Sequence, residues 1–63
     1  MTTENYISFA QSFGYGLRFT GIGMAYVMLN DTVFLTEAMD TDKAERELML
    51  IGMAIMNDTV RAM

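Results

Sequence analysis

Residues 21–29 read Gly-Ile-Gly-Met-Ala-Tyr-Val-Met-Leu, and residues 48–56 read Leu-Met-Leu-Ile-Gly-Met-Ala-Ile-Met. Both stretches are apolar on every face of a helix, which is typical of a helix that is buried on all sides. Both are shorter than the roughly 20 residues that a membrane-spanning helix needs. A chain of 63 residues cannot cover two such helices by itself, so the pattern predicts assembly with another chain.

The tetrad Ile-Gly-Met-Ala occurs in both stretches, at 22–25 and 51–54, and Asn-Asp-Thr-Val follows each copy, at 30–33 and 57–60. The spacer is longer in the first copy (26–29) than in the second (55–56). The difference, two residues, rotates a helix by about 200°. The copies therefore match by chance or occupy different structures, with a helix break at 30–32 and a helix end at 57–60.

The N-terminal half predicts one long glycine-rich helix over about 4–29, capped by Thr2 or Thr3. Its apolar stripe alternates spacings of four and three residues and consists of Tyr6, Ala10, Phe13, Leu17, Thr20, Met24 and Val27. Two interpretations of the glycines in this segment stay open. They break the helix, or they let another helix approach closely, as small residues four apart do; we prefer the second.

The rest of the chain predicts a short helix over about 32–39 that buries Val33 and Phe34, a turn at 40–42, and a last helix over about 43–61. The expected fold is therefore all-α: one small helical domain over 1–63 that forms an oligomeric helical bundle. The alternative is an α+β fold with a strand near 13–20, because large apolar residues alternate there with small or polar ones.

The bundle hypothesis specifies where copies of the chain meet. The small residues would admit a neighbouring helix, and the apolar residues around them would be covered. The predicted oligomer interface consists of Gly23, Ala25, Leu48, Ile51, Gly52, Ile55 and Met56.

Composition excludes several kinds of chemistry. The chain has no Cys and no His, so it lacks thiolate ligands, the commonest zinc ligand and the usual general base. Its net charge of −4 with scattered cations argues against direct binding to nucleic acid. We therefore expect no enzyme activity, no cofactor and no bound metal. The N-terminus lacks the pattern of a signal peptide, and we expect a cytoplasmic protein for which membrane insertion is disfavoured.

These exclusions leave three functional hypotheses. The preferred one is a small non-enzymatic interaction protein that acts as a dimer or higher homo-oligomer, such as a phage-type or accessory inhibitor of a larger protein complex. The alternatives are an oligomer that sequesters a ligand in pockets between subunits, and a small membrane-associated subunit. The predicted contact residues are Tyr15, Arg18 and Tyr26 for a pocket, and Glu37 and Asp40 for a basic partner.

Overall fold

The computed structural model describes residues 2–62, which form two helices and a four-stranded antiparallel sheet. The all-α bundle is therefore wrong, and the α+β alternative has its strand close to the expected place. In chain order the elements are α1 (Thr3–Ser12), β1 (Tyr15–Phe19), β2 (Met24–Leu29), β3 (Val33–Phe34), β4 (Met39–Asp40) and α2 (Thr41–Ala62).

Helix α1 begins where the sequence predicts and ends much earlier. The Thr2 hydroxyl accepts a hydrogen bond from the backbone N–H of Asn5 at 3.3 Å, which is the N-cap interaction expected of Thr. The helix stops at Ser12, and Gly14 follows with φ of +94°. Because residues with a Cβ rarely adopt this conformation, Gly14 redirects the chain into β1. The long helix over 4–29 is therefore wrong, and the glycine acts here as a break.

Strand β2 is the centre of the sheet. It pairs with β1 along five residues, from Tyr15 opposite Leu29 to Phe19 opposite Ala25. Its other edge is shared, because β3 pairs with its C-terminal end and β4 with its N-terminal end. Each of the other three strands of the described sheet thus pairs with β2.

The segment predicted as a short helix over 32–39 is extended instead. It contains β3, and just after it the backbone N–H of Leu35 donates to the Val27 carbonyl at 2.8 Å. A helix of one or two turns is marginal without packing. In the extended conformation this segment instead forms backbone hydrogen bonds with β2.

The break predicted at 30–32 is at the right place but joins two strands. Asn30 and Asp31 have φ of 55° and 60°, and Thr32 donates from its N–H to the Leu29 carbonyl at 3.3 Å. Two successive left-handed residues are what a type I′ hairpin turn requires, and Asn and Asp tolerate them better than most residues.

The two tetrads have different structures. Residues 22–25 lie in the β1–β2 loop and the start of β2, whereas residues 51–54 lie within α2. The same four residue types thus occur in a turn and strand at one place and in a helix at the other. Contacts with the surrounding structure determine which conformation each copy adopts. Helix α2 itself agrees with the prediction of a last helix over 43–61 to within two residues at its start.

Both helices lie on one face of the sheet. Helix α2 packs across β1, β2 and β4, and α1 packs against α2 and β1. The core cluster consists of Ala25, Val27 and Ala44, with Leu17, Met39 and Ile51 packed around it. Since side chains alternate along a strand and directly paired residues share a face, the odd-numbered residues of β1 and β2 point towards the helices.

At Gly52 the two helices approach each other closely. A Cβ placed there would meet the Tyr6 carbonyl oxygen, and it would lie 2.8 Å from the carbonyl carbon and 3.3 Å from the Cα of the same residue. These are backbone atoms of α1, so no side-chain rotation relieves the overlap. The close helix contact that the sequence predicts at Gly52 is thus made within the chain.

We expect Gly52→Ala to lower the free energy of unfolding by up to about 2 kcal/mol, measured by urea denaturation at low protein concentration. Overpacking costs about 1–3 kcal/mol, and the better helix propensity of Ala returns roughly 1 kcal/mol. Gly16→Ala is the matched control, because no heavy atom lies within 4 Å of a Cβ at that position. A Gly52→Ala variant that is more stable than the parent would contradict the close contact.

Candidate interaction surface

One face of the sheet carries neither of the helices described within residues 2–62, and we call it the open face. It is formed by the even-numbered residues of β1 and β2 and by the residues paired with them: Gly16, Arg18, Met24, Tyr26, Met28, Phe34 and Asp40. Antiparallel sheets commonly expose one face, and that face is then usually polar. Here it carries two aromatic rings, two methionines and two charged residues.

Three side chains of the open face form an organised group, which we call the aromatic–arginine cluster: Arg18, Tyr26 and Phe34. The Tyr26 and Phe34 rings are 4.9 Å apart between centroids at an interplanar angle of 77°, an edge-to-face geometry that favours aromatic pairs. The Arg18 guanidinium lies 5.6 Å from the centroid of the Phe34 ring, within the range of a cation–π interaction.

The β2–β3 turn holds the cluster in place. Arg18 donates from Nη2 to the backbone carbonyl of Asp31 at 3.0 Å, so the left-handed turn supplies the acceptor that orients the guanidinium. Arg18 is also directly paired with Tyr26 across β1 and β2. These contacts place the guanidinium against Phe34 and the turn within the single chain.

Exposure within the open face is uneven. Met28 is 1% exposed, whereas the neighbouring Phe34 is 54% exposed. Gly16 lies opposite Met28 on the other side, and a Cβ at Gly16 would have no heavy atom within 4 Å. One row of the face thus runs from an empty position at Gly16 across Met28 to a protruding ring at Phe34.

The residues predicted as contacts fall into separate places. Arg18 and Tyr26 share the open face, as a common site requires, and Asp40 lies near one corner of it, opposite Met24. Tyr15 points to the helix side by alternation along β1, so it does not belong with them. Glu37 is exposed in the segment between β3 and β4.

Three of the seven residues of the predicted oligomer interface lie inside the chain. Ala25 and Leu48 have no exposed surface, and Gly52 faces α1. These three are therefore not accessible to a second copy in this structure. Gly23 is exposed in the β1–β2 loop, and Ile51, Ile55 and Met56 are partly exposed on α2.

The sequence does not predict Phe34 as a contact residue of this surface, because it predicts a short helix over 32–39 that buries Phe34. The available signal is the run from Met24 to Leu29, which is apolar at both odd and even positions. Such a run is typical of a strand buried on both faces, and it points to an even-numbered face with its own apolar neighbours.

Among residues 2–62, no group of three or more His, Cys, Asp or Glu side chains is arranged to hold a metal ion. Neither helix of that range is long and apolar enough to cross a bilayer. Comparisons with protein-family models, with curated proteins and with solved structures found no match to the chain. The geometry of its surfaces is therefore the basis for a functional proposal.

We expect a double-mutant cycle of Tyr26→Leu and Phe34→Leu to give a coupling free energy of about 0.5–1.5 kcal/mol in urea unfolding, because edge-to-face ring pairs contribute that much beyond area burial. The control cycle pairs Phe34→Leu with Phe19→Leu, whose side chain points to the other face. Its coupling should be close to zero, as for distant sites. Equal coupling in both cycles would contradict a specific Tyr26–Phe34 contact.

Proposed function

We propose that this chain is a non-enzymatic interaction protein that works as a homo-oligomer, with the open face as the contact between two copies. The observation that carries the proposal is the composition of β2. Met24, Tyr26 and Met28 are apolar on the open face, just as the odd-numbered residues are on the helix side, yet the described helices cover only the other face. Met28 is buried within the chain, whereas Met24 and Tyr26 are partly exposed and the neighbouring Phe34 is 54% exposed. A second copy would cover the open face.

The small core supports this interpretation. The buried hydrophobic residues of the described chain are Ala10, Ala25, Val27, Met28, Ala44 and Leu48, half of which are alanines. Chains of this size usually gain stability from disulfides, metals or oligomerisation, and the absence of Cys removes the first. A standard interface of about 800 Å² per partner would cover about one fifth of the 4401 Å² surface.

The shape of the open face suits a copy of itself. A two-fold axis parallel to β2 and lying between two stacked sheets sets the β1 side of one copy over the β3–β4 side of the other. Gly16 and Phe34 lie in the same row, on opposite sides of Met28. The axis therefore sets the exposed Phe34 ring of each copy over the empty position at Gly16 of its partner.

Charge agrees with the same orientation. Arg18 lies on the β1 side of the open face, and Asp40 lies on the β4 side, one row of paired residues away. The two-fold axis sets the strand position of each Arg18 over the side of the partner that carries Asp40, so the opposite charges approach at two symmetric places once the guanidinium turns away from the Phe34 ring of its own chain. Complementary charges of this kind fix the register of an interface more than they add affinity.

The proposal includes the absence of catalysis, because the chain lacks His and Cys and carries its carboxylates mostly on exposed positions. It keeps the expectation that a larger protein is bound as well, for which the oligomer would present two copies of each remaining surface. The cytoplasmic location stays a prediction from the sequence.

We expect the purified chain to have at least twice the monomer mass in size-exclusion chromatography with light scattering, and Gly16→Leu to be monomeric. A leucine there fills the gap that receives the Phe34 ring, while the monomer has room for it. Far-UV circular dichroism should show the same secondary structure in both. Val60→Glu is the control, because Val60 is 65% exposed on α2, away from the open face, and it should keep the parent's mass.

A charge exchange tests the register. Arg18→Asp and Asp40→Arg should each weaken self-association by about tenfold or more, since each places like charges together. The double variant should recover association close to that of the parent in a dilution series. A parent chain that is monomeric, or a double variant weaker than both single variants, would refute the proposed interface.

A further inference from the structure

Within the described part of the chain, the outer edge of β1 has a defined set of backbone groups that no other strand pairs with. Asn30 donates from its N–H to the Gly14 carbonyl at 2.8 Å, and Thr20 donates to the Met24 carbonyl at 3.0 Å. In antiparallel pairing these bonds recur every second residue, so Gly16 and Arg18 also face β2. The N–H and C=O groups of Tyr15, Leu17 and Phe19 consequently point away from the sheet.

The opposite edge of the sheet is closed. Strands β3 and β4 are two residues long each, and between them the backbone of Val27 is satisfied by two neighbours. Its carbonyl accepts from the Leu35 N–H at 2.8 Å, and its N–H donates to the Thr36 hydroxyl at 3.2 Å. Short, interrupted edge strands are a common protection against further pairing. β1 has a regular five-residue edge without Pro or Lys.

A groove lies beside β1, between the sheet and the two helices. Its volume is about 510 Å³, within the range of ligand sites. Leu17 and Phe19, whose backbone groups face the free edge, form an apolar floor with Ile7, and the fully buried Leu48 lies beneath it. The polar lining is Glu4, Ser8, Gln11 and Glu45. Phe19 is 62% exposed, so the helices leave this end of β1 uncovered.

The groove has a negative rim. Glu4 begins one wall on α1 and Glu45 stands on α2, and none of the lining residues is basic. A ligand that fits this lining carries apolar groups for the floor and cations for the rim. A second copy paired through β1 does not meet this requirement, because it would bring its own Glu4 to the same edge.

We propose that the β1 edge binds an extended peptide segment of another protein, in which basic and apolar side chains occupy alternate positions. The segment adds to β1 as an antiparallel fifth strand, bonded to Tyr15, Leu17 and Phe19. Its alternate side chains enter the groove, where an apolar residue contacts Leu17 and Phe19 and flanking lysines or arginines approach Glu4 and Glu45. In this mode the backbone supplies affinity and the side-chain pockets supply specificity. The site is distinct from the open face, so it adds to the proposed function.

The test uses the synthetic peptide acetyl-Thr-Lys-Thr-Leu-Thr-Lys-Thr-amide, titrated into the isotopically labelled full chain and followed by NMR. We expect saturable chemical-shift changes along β1 and slower amide hydrogen exchange at Tyr15, Leu17 and Phe19, with little change at Gly16 and Arg18, which already bond to β2. A peptide with glutamates in place of both lysines should not bind.

Peptide backbone methylation separates strand addition from simple charge attraction. In antiparallel pairing, the residues whose side chains enter the groove also direct their N–H groups to β1. N-methylation of the peptide leucine should therefore abolish binding, whereas N-methylation of the threonine before it should leave binding within about twofold. Equal effects of the two methylations would overturn the proposal.

Protein variants test the rim. Glu4→Gln with Glu45→Gln should weaken the peptide by roughly 2- to 30-fold, the range expected for two exposed charge pairs. Glu37→Gln with Asp58→Asn is the matched control, because it removes the same charge from exposed residues outside the groove and should change affinity less than twofold.

An equal loss of peptide affinity in both variants overturns the site, as do chemical-shift changes centred on the open face. Protection of Tyr15, Leu17 and Phe19 before peptide is added would assign the edge to a second copy and also overturn it. Self-association through the open face is measured separately by light scattering, so failure of one proposal leaves the other standing.

Discussion

The backbone pairing of β2 is the constraint on which the rest of the structure depends. All three other strands bond to it, and its odd-numbered side chains supply the centre of the core. A single hairpin is marginal in water, and a sheet becomes stable when more strands and a packed helix layer are added. In this chain β3 and β4 are only two residues long each, so most of the stabilisation of the hairpin comes from packing against the helices.

The helix layer in turn depends on a close contact. Helix α1 has ten residues, which is too short to be stable alone, and it is held by α2 and β1. Gly52 lets the backbone of α1 come against α2 at Tyr6, so a small residue substitutes for a larger apolar interface. The buried core contains few large side chains. Several large apolar side chains, among them Phe19 and Phe34, are therefore exposed on the surface.

That outside surface is divided between two places with different chemistry. The open face has an arginine held over an aromatic ring and a row that runs from a gap to a protrusion, features that suit a copy of the same shape. The β1 edge has unpaired backbone groups beside an acidic groove, features that suit an extended basic segment. Under the two proposals the protein acts by binding, and it holds a partner peptide while it is itself assembled.

Part of this was accessible from the residues alone. The Thr2 cap, the extent of α2 and the turn at 30–32 follow from local rules of capping, periodicity and turn formation, which depend on neighbours in sequence. The conformation of segment 15–29 could not be predicted from such local rules. Its Tyr, Phe, Val and Met residues accept a strand or a helix, its apolar stripe matches helical spacing, and its glycines fit either a break or a close contact.

The sequence by itself therefore determined the two helix starts to within two residues, the position of the tight turn and the absence of Cys and His, because each is set by residue type or by near neighbours. The tertiary structure decided that 15–29 is a hairpin, because β2 pairs with residues as distant as Met39 and Asp40. It also decided that Gly52 meets Tyr6 of the same chain. A small residue shows that something approaches closely, and only the folded arrangement shows what approaches.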